Sequence, residues 1–164
     1  MRKSILLLVS IVLAIAAMAV AQDTKSDMKS SMVMSTADEL TWGAPPPVFE
    51  QNAQFTVVSG DPSKAGLYVV RLKMPAGYKI MPHWHPTDEH ATVLSGTFAL
   101  GMGDKVDEAS MKEMPAGSYG LLPATMHHYA MAKTDCIVQV HGMGPFALTY
   151  VNPNDDPSTR AAKK

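Results

Sequence analysis

Two histidines and a glutamate are spaced as metal ligands would be. His83 and His85 are separated by one residue, and Glu89 follows four residues after His85. Residues i and i+2 of an extended strand point to the same face, so the two imidazoles can converge on one ion. The turn residues 86–88 (Pro-Thr-Asp) leave enough chain to reverse and return a carboxylate from the neighbouring strand.

A second histidine-bearing stretch, GSYGLLPATMHH at residues 117–128, places His127 or His128 at the start of a predicted strand. The same alternation leaves a choice between Glu89 and His90, because neighbouring residues of a strand point to opposite faces. Burying such groups costs roughly 2–7 kcal/mol for each unpaired one, and a divalent cation would offset that cost. A hydrogen-bonded polar patch without metal is the alternative interpretation.

The elements that must position these residues are predicted to be strands. From Thr41 onward, turn residues recur at short intervals and no long helical period appears. This pattern predicts about nine short strands in an all-β sandwich or small barrel. The exception is residues 106–114, a short polar stretch that we predict to be a helix. The predicted strands are 55–59, 67–74, 78–85, 91–95, 97–101, 119–122, 129–132, 136–141 and 146–151.

These two stretches resemble the two sequence motifs of the cupin superfamily, in particular small single-domain secreted bacterial cupins. In the first motif, a glycine precedes His-x-His by five residues, and a Glu and a second glycine follow. The second motif requires glycine, Pro-x-Gly, His and Asn; here Thr125 replaces the inner glycine and Ala132 the asparagine. The positions that match the two motifs are Gly77, His83, His85, Glu89, Gly96, Gly117, Pro123 and His128.

The resemblance implies a cupin jelly-roll β-barrel, that is, a double-stranded β-helix. It implies that His83, His85, Glu89 and His128 are the metal ligands, because the motif spacing selects Glu89 over His90 and His128 over His127. His141, late in a predicted strand, is predicted to contact a metal ligand or to line the pocket, and His90 and His127 are the other candidates for that role. An exposed location for His141 is an equal alternative.

A nitrogen and oxygen ligand set without thiolate suits one divalent transition metal ion: Mn, Fe, Ni, Cu or Zn. Through the resemblance, we expect an enzyme acting on a small oxygen-rich molecule, such as a metal-dependent dioxygenase or isomerase, with dioxygenase chemistry leading. A non-catalytic small-ligand or metal-binding module is the alternative, since fold does not select function. The resemblance also implies a homodimer built on the barrel's outer sheet.

The N-terminus has the features of a secretory signal peptide. Arg2 and Lys3 precede an apolar run from Ile5 to Val20, which ends in small residues at 19–21. The run has about 16 residues, fewer than the ~20 that a spanning helix needs. We therefore predict cleavage after Ala21, a periplasmic or extracellular location, and no stable membrane span in the mature protein.

The remaining segments complete the predicted organisation. Residues 22–40 are predicted to be a flexible linker, 41–155 the cupin domain and 156–164 a disordered tail. The linker contains Met28, Met32 and Met34, thioethers that suit Cu(I), although a tail that happens to contain methionine is the simpler interpretation.

Composition excludes several classes of function. The 164 residues are 46% hydrophobic and 18% charged, which is typical of a single folded domain. Net charge is −1 for 14 basic and 15 acidic residues, and becomes −3 without Arg2 and Lys3, so no basic surface for nucleic acid is expected. The single cysteine, Cys136, excludes an internal disulfide and a multi-cysteine metal site. We expect its thiol to be buried in a strand.

Overall fold

The computed structural model describes residues 32 and 34–161, and its strands form two antiparallel sheets of five strands each. The strands are β1 Gln54–Ser59, β2 Gly66–Met74, β3 Lys79–Trp84, β4 Glu89–Ser95, β5 Thr97–Met102, β6 Lys112–Pro115, β7 Tyr119–Leu122, β8 His128–Ala132, β9 Cys136–Gly144 and β10 Thr149–Tyr150. The first sheet has the order β1-β2-β9-β4-β7 and the second β10-β3-β8-β5-β6. This is the all-β jelly-roll architecture that the sequence predicts.

Alternation along the central strands builds the core. In β4, Ala91 and Val93 are buried, and in β9, Val138 and Val140 are buried in the same rhythm. Because successive side chains of a strand point to opposite faces, these residues form the inner face of the first sheet. β2 contributes four more inward side chains, and β9 pairs with it along its whole length. The inward faces of both sheets thus share one apolar core.

One predicted element is wrong, and the strand predicted at 146–151 is reduced to Thr149–Tyr150. Residues 106–114 do not form a helix; a 3-10 helix covers only Glu108–Ser110, and β6 begins at Lys112. Asp107 caps the 3-10 turn by accepting a hydrogen bond from the Ala109 backbone. Beyond the turn, pairing with β5 buries Met114. Tertiary pairing therefore decides the conformation of this polar stretch, where local propensity is weak.

Two 3-10 turns and one short helix complete the described chain. The second 3-10 turn is Pro153–Asp155, and the helix α1 is Pro157–Ala161. This helix falls within the segment predicted to be a disordered tail, and the Arg160 guanidinium forms an ion pair with Glu50. No helix in the described residues is long and apolar enough to cross a membrane.

Several predictions about the termini concern residues outside the described part of the chain. These are the signal peptide 1–21, most of the linker 22–40, and residues 162–164. Cys136, by contrast, lies inside the described fold and is buried as expected. Burial, with the nearby Asp135 charge, raises the pKa of this thiol to about 11, so it stays protonated.

The glycine that ends the first motif sits where the chain passes from one sheet to the other. Gly96 lies between β4 and β5 with φ +73°, a left-handed conformation that other residues rarely adopt. A Cβ atom there would lie 2.1 Å from the Asp135 carbonyl oxygen. Backbone strain and a backbone clash therefore both require glycine.

We predict that Gly96→Ala lowers the free energy of unfolding by about 2 kcal/mol or more. Gly77→Ala is the matched control, because Gly77 has a similar φ of +81° but nothing within 4 Å of the added Cβ. Gly77→Ala therefore measures the backbone strain of alanine at positive φ without a clash, which lowers the free energy of unfolding by about 1–2 kcal/mol. Urea unfolding of both variants measures the difference, and equal losses would contradict the clash at Gly96.

Candidate metal centre

Three strand ends bring the predicted ligands together. His83 lies in β3, His85 directly follows that strand, Glu89 opens β4 and His128 opens β8. β3 and β8 pair so that His83 and His128 are directly opposite each other. The ring centroids of His83 and His128 are 4.2 Å apart, and those of His83 and His85 are 5.0 Å apart. All three imidazoles are buried.

Each of these histidines is fixed through the same ring nitrogen. Nδ1 of His83 is 2.7 Å from the Met81 carbonyl oxygen, and Nδ1 of His128 is 2.9 Å from the Met126 carbonyl oxygen. Nδ1 of His85 is 2.7 Å from the Ala147 carbonyl oxygen, across the barrel. A carbonyl oxygen only accepts hydrogen bonds, so Nδ1 must carry the proton. In a neutral ring that is protonated on Nδ1, the lone pair resides on Nε2.

The Nε2 atoms face one another without protein donors. One ligand atom from each of His83, His85 and His128 can be chosen so that all three lie within 4.8 Å of one another. Nε2 of His85 and Nε2 of His128 are buried and make no hydrogen bond within the described structure. Unsatisfied buried acceptors are rare in folded proteins. Three convergent lone pairs in a buried site are the donor set that a divalent transition metal accepts.

Glu89 adds a carboxylate to the same cluster. Its Oε2 lies 3.3 Å from Nε2 of His128 and 3.5 Å from Nε2 of His85. Burial acts to raise the pKa of Glu89, but the close approach of His128 and His85 outweighs it and brings the pKa to about 2. The carboxylate is thus ionised at neutral pH. The cluster presents nitrogen atoms of three histidines and one anionic carboxylate oxygen.

Burial has the opposite effect on the histidines. Burial lowers the pKa of His83 to about 3, and the neighbouring His128 and His85 add to that effect. The pKa of His85 is also lowered, chiefly by burial. Neutral imidazole is the protonation state that ligates metals. Protons therefore compete weakly for these two side chains.

The loop before His128 departs from the cupin motif in residue type but keeps its geometry. Thr125, which stands in place of the motif glycine, adopts φ +64°, the conformation for which glycine is favoured. Two hydrogen bonds tie this loop to the first motif: Thr125 N donates to the His85 carbonyl and Ala124 N to the Asp88 carboxylate, both at 2.8 Å. These bonds offset the strain and hold the two motifs together.

The structure does not bring the other three histidines to the cluster. His90 and His141 are opposite each other on β4 and β9, with their rings stacked 4.7 Å apart. They line a groove separate from the barrel cavity, because each directly neighbours an inward residue and so points outward. His127 pairs with Asp104 at 2.6 Å on the surface. These three histidines therefore do not line the barrel cavity.

Sequence comparison identifies the family. Residues 14–149 match the family described as a domain of unknown function, DUF4437. A search of curated proteins finds no match. Among solved structures, an RmlC-like cupin from Shewanella frigidimarina NCIMB 400 is 18% identical with a TM-score of 0.54, covering 69% of this chain and 91% of that one.

The chain belongs to the DUF4437 family, and its fold is that of a cupin.

Two other cupin-fold neighbours are named for reactions. The polyketide cyclase RemF from Streptomyces resistomycificus is 14% identical, with a TM-score of 0.64. A candidate acetylacetone dioxygenase from Methylibium petroleiphilum PM1 is 18% identical, with a TM-score of 0.59. In both cases the match covers 80% of this chain and 94% of the neighbour. Similarity at this level establishes the fold alone.

The sequence predictions did not include the groups that orient or surround the cluster of three histidines and Glu89. The Ala147 carbonyl orients His85 from 62 residues away, and no pattern in the sequence marks it. Tyr68 and Phe146 line the cavity beside the cluster. Tyr68 could be found in part, because alternation with Val70 in β2 predicts that it points inward. Its relation to Glu89 depends on a register across three strands that the sequence does not reveal.

The depressed pKa of His83 predicts how the metal-free protein responds to acid. The folded-state pKa of about 3 lies below the ordinary value of 6.5, so unfolding takes up a proton between these pH values. The contribution of neutral His83 to the free energy of unfolding is fully present above pH 6.5 and decreases as the pH drops towards 3. Each histidine that stays neutral in the folded protein lowers the free energy of unfolding by about 2 kcal/mol when the pH falls from 7 to 5.

Urea unfolding of chelator-treated protein at pH 7 and pH 5 checks this expectation. His83→Phe should lose about 2 kcal/mol less over this interval than the unsubstituted protein. Tyr78→Phe, a change in another buried aromatic side chain, should leave the pH dependence as it is. An unchanged slope in His83→Phe would show that His83 does not stay neutral on folding.

Proposed function

We propose that this protein is an exported cupin that binds one divalent transition metal through His83, His85, His128 and Glu89. We further propose that it is an enzyme acting on a small oxygen-rich molecule, with dioxygenase-type chemistry leading. The observation that carries the proposal is the convergence of the Glu89 carboxylate with the buried Nε2 atoms of His85 and His128. These two atoms make no hydrogen bond within the described structure, and each lies on a ring already fixed through Nδ1. Mn, Fe, Ni, Cu or Zn suits this donor set.

The metal would polarise a bound oxygen group or activate dioxygen. The chain's own residues hold the ligands and limit access of water. The backbone carbonyls keep the proton on Nδ1 of each histidine, and thereby keep Nε2 free. Apolar side chains from both sheets line the rest of the cavity. Such a surrounding strengthens electrostatic interactions inside the site.

Metal content of the purified protein tests the binding part of the proposal. Elemental analysis is expected to find about one equivalent of one of the five metals. His83→Ala, His85→Ala and His128→Ala should each lose most of this metal, because loss of one residue that binds the ion directly weakens binding strongly. The matched controls are His90→Ala, His127→Ala and His141→Ala, which should retain full occupancy. Loss in the controls, or retention in all three ligand variants, would overturn the assignment.

A second candidate function is a non-catalytic binding module. It is favoured by the lining of the cavity: among residues 34–161, no amine and no further carboxylate or imidazole lies in the cavity outside the cluster. General acid–base catalysis would ordinarily use such a group.

Oxygen-consumption and absorbance screens of the metal-loaded protein against diketones, catechols and hydroxy acids separate these functions. Turnover of any member that stops after chelation, and is absent in His83→Ala, supports the enzyme. Saturable binding of a member without turnover, by a protein with full metal content, supports the binding module instead. The export part is tested separately by N-terminal sequencing of the mature protein, which should begin at Gln22.

A further inference from the structure

The cavity beside the cluster is lined by apolar side chains apart from the cluster itself and Tyr68. Its lining among residues 34–161 contains five polar side chains: the three histidines, Glu89 and Tyr68. The other side chains are aliphatic, aromatic or proline, and they come from both sheets. Representative members are Phe55, Leu72, Phe98, Leu122, Val138 and Phe146. No lysine or arginine is present in this lining to neutralise an anionic group.

This distribution limits the charge that a bound molecule can carry. A carboxylate or phosphate buried against apolar side chains loses its hydration and gains no partner, which costs several kcal/mol. Oxygen atoms can be accommodated at the end where His83, His85 and His128 converge. Beyond that end, the surrounding chemistry favours an uncharged hydrocarbon body.

Tyr68 is the polar group that extends from the wall towards this end. In the first sheet, Tyr68 on β2 pairs with Gly142 on β9, and Gly142 pairs with Glu89 on β4. The three residues therefore form a row across neighbouring strands, and a row of paired residues shares one face of a sheet. Because Gly142 has no side chain, the ring of Tyr68 can lie over it. A Cβ at position 142 would be 3.1 Å from the Tyr68 hydroxyl oxygen.

The Tyr68 hydroxyl makes no hydrogen bond with any residue that the structure describes. The residue is only 3% exposed, but its hydroxyl oxygen is not among the fully buried atoms without a partner. The other three buried tyrosines among the described residues each donate to a backbone carbonyl: Tyr78 to that of Glu50, Tyr129 to that of Asp107 and Tyr150 to that of Val48. Buried tyrosine hydroxyls usually find a partner. A tyrosine hydroxyl carries its proton at neutral pH, so Tyr68 is able to donate.

We propose that the cavity binds small molecules with an oxygen-bearing end and an uncharged apolar body, and that the Tyr68 hydroxyl donates a hydrogen bond to that oxygen-bearing end. The inference rests on the proposed metal site, because the convergent histidines define which end of the cavity receives the oxygen atoms. It goes further by assigning the substrate class and a substrate-binding residue. Glu89 and Tyr68 then flank the same end of the bound molecule from the two ends of the row, with Gly142 between them.

Isothermal titration calorimetry of zinc-loaded protein tests the proposal, since zinc supports binding without redox turnover. Two probes share a pair of adjacent oxygens and differ only at the opposite end: 4-methylcatechol carries a methyl group and 3,4-dihydroxybenzoate a carboxylate. We expect 4-methylcatechol to bind at least about tenfold more tightly, because the carboxylate would be buried without a partner. A third probe, 1-methylimidazole, has no oxygen to accept a hydrogen bond.

The hydroxyl of Tyr68 is tested by Tyr68→Phe, with Tyr78→Phe as the matched control for loss of a buried hydroxyl elsewhere. Tyr68→Phe should bind 4-methylcatechol roughly 3- to 10-fold more weakly, the effect of one lost hydrogen bond. Its affinity for 1-methylimidazole and its zinc content should not change, whereas a general structural defect would lower both. Tyr78→Phe should leave the affinities for all three probes as they are.

The outcomes separate this inference from the proposed function. Failure of the unsubstituted protein to take up zinc would refute the metal site itself. Zinc uptake with equal affinity for the two catechols, or with no binding of either, would refute the substrate class. Unchanged 4-methylcatechol affinity in Tyr68→Phe would remove Tyr68 from the binding site.

Discussion

Three hydrogen bonds from imidazole Nδ1 to backbone carbonyls are the interactions on which the site depends. Each bond fixes the ring and leaves the Nε2 lone pair facing the barrel interior. In two of the three rings that lone pair is buried without a hydrogen bond. Burying these acceptors without a hydrogen bond destabilises the folded state, and a metal ion that accepts their lone pairs would offset this cost.

The two sheets contribute different parts of this arrangement. The second sheet supplies the direct pairing of β3 and β8 that sets His83 against His128. The first sheet supplies Glu89, and the row through Gly142 that leads to Tyr68. The loop before His128 connects the two motifs by hydrogen bonds. Thr125 N donates to the His85 carbonyl, and Ala124 N donates to the Asp88 carboxylate. Because the ligands start or follow strands whose pairing fixes their positions, the site is held by rigid elements.

Much of this organisation could be predicted from the sequence, for identifiable reasons. Alternation placed His83 and His85 on one face, and the motif spacing selected Glu89 and His128; the structure brings these four side chains together. The prediction failed for 106–114, where pairing with β5 overrides weak local preference. It also could not locate His141, since the choice between the inner and outer faces depends on strand register. The Ala147 carbonyl and the unpartnered Tyr68 hydroxyl depend on contacts between distant segments, which the sequence does not reveal.

Anomalous X-ray diffraction from a crystal of the metal-loaded protein tests the central claim most directly. Data collected above and below the absorption edge of the metal found in the protein should give one strong peak inside the barrel. The account predicts this peak at about 2.0–2.2 Å from Nε2 of His83, His85 and His128. A peak beside Nδ1 atoms, a peak at the His90 and His141 pair instead, or no peak in the barrel would contradict it.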